Sequence, residues 1–173
     1  MSEHLEEPKF KIIQKYKRFE VRKYVDTIQA QVSSPIFEKV NSNFHFRQIA
    51  NYIFGDNDMY QNISMTAPVH TWKQDNEKLM AFTMPSKFNL QNLPKPNDNE
   101  VKLLNIEGET VAVLKFSWFS GKFKTEKLIK KLQSYVKKEG LKENGAPKLA
   151  VYDNPMTTLP FMRRNEIHLP IFW

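Results

Sequence analysis

The middle of the chain constrains its fold most. Ser86–Asn99 carries Pro94, Pro96 and a cluster of Asn and Asp, and it falls almost halfway along the 173 residues. Proline fixes φ and removes a backbone donor, while Asn and Asp compete with helix and sheet for backbone hydrogen bonds. The stretch therefore reads as a linker, and on either side of it the same order of elements is legible.

Before the linker, Phe10–Tyr24 alternates apolar and charged residues, most clearly in Phe19-Glu20-Val21-Arg22-Lys23-Tyr24. Thr27–Val32 alternates again through Ile28, Ala30 and Val32, and Pro35 interrupts it. Both read as half-buried strands. Asn43–Phe54 places Phe46, Ile49, Ala50 and Ile53 at helical spacing, with Ser42 as the expected cap and Gly55 as the stop. Ile63–Trp72 and Lys78–Met84 follow as strands around the polar Lys73–Glu77.

After the linker, Val101–Ile106 and Thr110–Trp118 are strands around the Glu107-Gly108-Glu109 turn. Thr125–Glu139 is a helix with Leu128, Leu132, Tyr135 and Val136 on one face and Gly140 at its end. Lys148–Tyr152 and Asn165–Phe172 are the last strands. Glu20-Val21-Arg22 aligns with Glu100-Val101-Lys102, Thr27-Ile28 with Thr110-Val111, and Met84-Pro85 with Leu169-Pro170. The predicted fold class is therefore α+β, one domain of two quasi-repeated βαββ-type halves, residues 10–85 and 100–172. Each half contributes one helix packed on a shared curved sheet. A cleft where related halves meet is a natural ligand site.

Composition narrows the function classes. The chain has no cysteine, which excludes disulfides, thiolate metal sites, a Cys nucleophile and thioether heme attachment. No apolar run approaches the ~18–20 residues of a membrane span. MSEHLEEP lacks a signal's apolar region, so a cytoplasmic location is expected. Net charge is +7, from 26 basic and 19 acidic residues. The densest lysines, Lys122, Lys124, Lys127, Lys130, Lys131, Lys137 and Lys138, fall on the polar side of the second helix. They read as a solvated face, and no nucleic-acid partner is expected.

Catalytic motifs are missing. There is no Gly-x-Ser-x-Gly, no phosphate-binding glycine loop and no His-Glu-x-x-His, and five glycines leave little for a nucleotide cradle. No two of the four histidines, His4, His45, His70 and His168, have helical metal-pair spacing. His70 and His168 lie on strands, where a packed or solvent-facing role is expected. His45 lies in the first helix beside Phe46. Met65, Met80, Met84, Met156 and Met162 suit either core filling or an adaptable apolar site. Pro68 disturbs the strand that holds Met65. Arg163-Arg164-Asn165-Glu166 could hold an anion or form salt bridges that pin the last strand.

Several of these segments together resemble the SOUL/heme-binding protein family. Ile63-Ser64-Met65-Thr66-Ala67-Pro68-Val69 is similar to its Met-Thr-x-Pro-Val segment. Tyr152-Asp153-Asn154-Pro155-Met156, followed by Arg163-Arg164-Asn165-Glu166-Ile167, is similar to its closing signature. Phe19–Tyr24 resembles the opening strand, and Phe82-Thr83-Met84-Pro85 and Phe119-Ser120-Gly121 resemble mid-chain landmarks. The order holds from about Phe19 to Leu169.

The resemblance implies a distorted β-barrel of two quasi-repeats. It also implies non-catalytic, reversible and non-covalent binding of heme or another tetrapyrrole in a shallow apolar site against the first helix. Carried onto this chain, the contact residues are Phe46, Ile49, Ala50 and Ile53, with His45, Arg47 and Met65 beside them. The sequence departs from the family where one branch has a strand histidine proposed as axial ligand, here Lys23. It departs again where basic residues contact propionates, here Asn43, Asn51 and Thr157. Arg47 and His45, or Arg163 and Arg164, are the candidate substitutes, and no metal-ligating side chain is assigned. Two other functions stay open: a sensor or interaction module for another flat apolar ligand, and a tetrapyrrole-modifying enzyme.

Overall fold

The computed structural model describes residues 4–173. In chain order the elements are β1 (Phe10–Lys15), β2 (Glu20–Tyr24), β3 (Thr27–Pro35), α1 (Ser42–Ile53), β4 (Val69–Gln74), β5 (Glu77–Thr83) and β6 (Lys102–Ile106). There follow β7 (Thr110–Phe116), α2 (Lys122–Lys138), β8 (Lys142–Glu143), β9 (Lys148–Val151), one helical turn at Pro160–Met162 and β10 (Asn165–Phe172). The fold is α+β with antiparallel strand pairing. None of its described helices is long and apolar enough to cross a membrane.

The chain divides into two compact units. The first comprises Asp26–Glu107 with the N-terminal segment through Pro8; the second comprises Lys9–Val25 with Gly108–Trp173. These do not coincide with the sequence halves expected at 10–85 and 100–172: β1 and β2 join the C-terminal segment, and β6 joins the N-terminal one.

In the first unit the strands pair in the order β4-β5-β3-β6. Side chains alternate across a strand, so Ala30 and Val32 of β3 and Met80 and Phe82 of β5 share one face. α1 packs on that face through Ile49, Tyr52 and Ile53. Its cap is Asn41, not Ser42: the Asn41 side chain accepts from Phe44 N at 3.0 Å, and Ser42 is already helical. Asp75 and Asn76 turn between β4 and β5 at φ 50° and 62°, the left-handed pair that a tight hairpin turn requires. The strand expected from Ile63 begins only at Val69, because Ala67 N donates to Glu6 O (2.9 Å) rather than to a neighbouring strand. The linker 86–99 is a packed loop. Leu93 sits in the core, and Tyr52 donates its hydroxyl to Pro94 O at 2.8 Å.

In the second unit the order is β1-β2-β7-β10-β9, with β8 beside the end of β10. Val21, Ala112, Ile167, Leu169 and Ile171 form the core with Leu132 and Val136 of α2. Leu128 and Tyr135 pack at its margin, so the apolar face expected of α2 is assembled on one side. The alternation sends Glu20, Arg22 and Tyr24 of β2, and Glu166 and His168 of β10, to the opposite face.

The turn before β7 approaches β2 closely. Tyr24 N donates to Glu109 O (3.0 Å), and a Cβ at Gly108 would overlap the Tyr24 carbonyl. Gly108→Ala is therefore expected to destabilise the protein by about 1–3 kcal/mol. Leu132→Ala, which empties a fully buried site, should cost about 2–5 kcal/mol. Urea denaturation measures both; a Gly108→Ala midpoint equal to wild type would contradict the close approach.

Candidate functional site

The residues expected to contact ligand divide sharply once the helix is packed. Ile49 has 0% of its surface exposed, Ile53 and Ala50 are also buried, and Ile49 and Ile53 are core members. The stripe read as a ligand face is thus the packing face of α1, filled by the β3 and β5 side chains of its own unit. Phe46 remains accessible at 39%, its ring tilted 5.3 Å from that of Phe82 at the edge of this face. Arg47 is exposed, and Met65 is half-buried against the same core.

His45 is only 4% exposed. Burial, and secondarily the charge of Lys78, lowers its pKa, so its imidazole is neutral at neutral pH. At 100° per residue it lies on the far side of the buried stripe from Ala50. A buried neutral ring offers a carboxylate no charge, though its N–H remains a hydrogen-bond donor. Lys23, at the strand position where one family branch has histidine, donates to Gly108 O.

The outward face of α1 forms a groove of about 290 Å³ lined by Phe44, Arg47, Gln48, Asn51, Tyr52, Asp56 and Asp98. That volume is at the lower limit of small-molecule sites, roughly 300–1,000 Å³. Two acids face one arginine there, a poor match for a dianionic ligand. Gln48 donates to Asp98 at 3.1 Å, and burial pushes the Tyr52 hydroxyl up to about 12.

A second constellation lies in the other unit and was only partly visible in the sequence. Glu166 is buried and accepts from Arg22 on both oxygens, at 2.9 and 3.0 Å. Tyr152 donates to Oε2 at 2.7 Å, and His168 Nε2 lies 2.7 Å from the same atom. Arg22 also reaches Glu20 (2.7 Å) and Tyr24 (3.0 Å). Burial alone would raise the Glu166 pKa, but the hydrogen bonds and charges of His168 and Arg22 hold it well below the usual carboxylate range. Burial raises Tyr152, and neighbouring Tyr24 and Glu166 add to it. Both carboxylate oxygens are occupied, so the cluster ties β2 and Tyr152 to β10.

Arg163 and Arg164 are not the partners of Glu166. Arg163 donates to the carbonyls of Thr158 (3.0 Å) and Pro155 (2.8 Å), and Arg164 stacks 4.0 Å from the Tyr152 ring. Of the two readings of this segment, the salt bridge that pins the last strand exists, but its cation is Arg22.

The SOUL heme-binding protein family model matches residues 5–170. The chain belongs to the SOUL heme-binding protein family. No curated protein matches it. Among solved structures, the C-terminal domain of EcmrR has a TM-score of 0.69 at 10% identity, covering 90% of this chain and 97% of that one. An uncharacterized conserved protein from Listeria innocua gives 0.66 at 10% identity, covering 90% and 93%. A hydrolase from Listeria innocua gives 0.58 at 12%, covering 92% and 94%. At such identities the likeness is one of fold.

The depressed pKa of Glu166 has a consequence for pH. The unfolded carboxyl binds a proton first, near pH ~4.3, so the cluster's contribution is present above that value and is lost as pH falls toward the folded pKa. Glu166→Gln should cost about 3–5 kcal/mol at neutral pH by leaving Arg22 short of a buried partner. The gap between wild type and variant should narrow on acidification below the ordinary carboxylate range. Denaturation midpoints of both proteins across the acid range check this; a constant gap would contradict the depressed pKa.

Proposed function

We propose that the chain binds heme or a related tetrapyrrole reversibly, as a carrier or buffer, with the macrocycle against the Phe46 edge of α1. Membership of the SOUL family carries this reading. The local chemistry supports it. Phe46 is an accessible aromatic ring on a rigid helix, and Arg47, next along the outward side, is a cation for a propionate. Three of the four histidines, His45, His70 and His168, are buried. Contact of this kind is mainly hydrophobic.

The other open functions gain less. A tetrapyrrole-modifying enzyme needs a free acid or base, whereas the acid at the centre of the polar cluster is fully engaged. A sensor of flat organic cations needs an accessible acid beside an apolar wall; Asp56 and Asp98 in the α1 groove are the nearest to this description.

We also read the chain as an internal duplication. In one unit β3-α1-β4-β5 pairs as β4-β5-β3 and adds β6; in the other β7-α2-β9-β10 pairs as β9-β10-β7 and adds β2. The matching orders support a repeated unit whose outer strands are exchanged.

Titration of the purified protein with hemin should give a saturable Soret shift at micromolar protein. Phe46→Ala should weaken binding about tenfold or more, equivalent to ~1.4 kcal/mol. His45→Ala, which alters the core, should leave the affinity of the folded protein within a few-fold of wild type. No saturable shift in wild type would sink the proposal, and unchanged affinity in Phe46→Ala would move the ligand elsewhere.

A further inference from the structure

One apolar surface is left unexplained by tetrapyrrole binding. In the second unit, the loop between β7 and α2 exposes Trp118 and Phe119, and the first turn of α2 exposes Phe123, at 88%. The loop between β9 and β10 exposes Met156 at 89%, together with Leu159, Phe161 and Met162. Single exposed apolar side chains are ordinary on a folded domain, but seven large ones on two joined loops and the helix start beside them are not.

The two loops are fastened to each other by polar atoms that leave the apolar ones outward. Trp118 N donates to Pro160 O (2.9 Å), and Asn165 Nδ2 donates to Trp118 O (3.0 Å). The Trp118 and Phe161 rings lie 6.3 Å apart, and the Arg163 guanidinium sits 5.4 Å over Phe119. The first turn of α2 is tied in as well, through Lys124 Nζ to Ser117 O at 2.7 Å. Trp118 stands at φ +74°, a conformation glycine adopts freely and tryptophan does not. The backbone is held so that the indole faces out, and strain of this kind gathers at functional positions.

Charge indicates what covers the surface. Ser117–Lys124 and Tyr152–Arg164 contain Lys122, Lys124, Arg163 and Arg164 against one acid, Asp153, whose carboxylate accepts from Arg164 N. Lys127, Lys130 and Lys131 continue the positive field along the depression beside Phe123, with Glu126 the one acid lining it. Exposed aromatic residues of the first unit differ: Phe37, Phe54 and Tyr60 each lie within two residues of an acid in the sequence, Glu38, Asp56 and Asp58 respectively. Aromatic and aliphatic tips surrounded by cations match the boundary between anionic headgroups and acyl chains. We infer that these two loops and the start of α2 form a docking surface for an anionic lipid bilayer, on which Trp118, Phe119, Phe123, Phe161 and Met162 enter the interface and the lysines and arginines meet headgroups.

The test uses the full chain with vesicles of phosphatidylcholine alone and of phosphatidylcholine with phosphatidylserine in equal parts, read by cosedimentation. Wild type should bind the mixed vesicles, bind phosphatidylcholine weakly, and lose affinity as salt rises. Phe119→Ser with Phe161→Ser should weaken binding about tenfold or more, each ring contributing buried apolar area. Lys122→Glu, on an exposed side chain, should weaken it while leaving the rings in place. Phe37→Ser, on an exposed ring beside Glu38 in the first unit, should bind as wild type. Absence of binding to mixed vesicles at low salt would overturn the inference, as would equal loss in Phe37→Ser. So would concentration-dependent self-association abolished by the Phe119/Phe161 pair, which would assign the surface to a second copy. Loss of hemin binding in that pair without any vesicle binding would assign it to the tetrapyrrole.

Discussion

The buried pair of Arg22 and Glu166 joins residues 144 positions apart, and the second unit depends on it. That unit is assembled from the beginning and the end of the chain, so its sheet has no local connection to fix how β2 lies against β7. A slip of one residue would turn Arg22 toward the core occupied by Val21 and leave a guanidinium among Leu132, Val136 and Ile167. The cost of an unpaired buried charge excludes that register. A buried ion pair adds little net stability over a well-packed apolar substitute, and its contribution here is to make one pairing far better than its neighbours. The Phe10 ring 4.2 Å from the Arg22 guanidinium extends the same constraint to β1.

Periodicity made both helices and most strands legible. Ile49 and Ile53, and Leu132 and Val136, recur at the spacing of one helix face, and both pairs are buried. What the pattern could not supply was the purpose of a face. The same apolar stripe serves a core or a ligand, and only packing distinguishes them; Ile49, Ala50 and Ile53 proved to be core, while Phe46 survives at the edge. The cap at Asn41 was missed by one residue because Asn and Ser are both good caps and sit side by side.

The polar cluster was the larger omission. Arg22, Tyr24, Tyr152 and His168 lie on three segments whose adjacency depends on which strands pair, and that is a nonlocal property. A signal was present in retrospect: Glu166 and His168 are polar residues at alternate positions of a strand, with Ile167, Leu169 and Ile171 at the positions between and after them. Alternation marks two faces, yet both faces of β10 are buried, so the polar one had to be internally satisfied.

The exchange of strands between the units also orders events during synthesis. Residues 26–107 are contiguous, and every strand of their sheet is synthesised before α2 is. β1 and β2 precede β3, but their sheet partner β7 comes some ninety residues after β2, and Glu166 later still. Until then the apolar side of β2 has no sheet to join, and its backbone edges stay open to other chains. The interval between the synthesis of β2 and that of β10 is thus when the nascent chain most needs a chaperone, and a chain halted before β7 would hold every strand of the first unit's sheet while β1 and β2 lacked theirs.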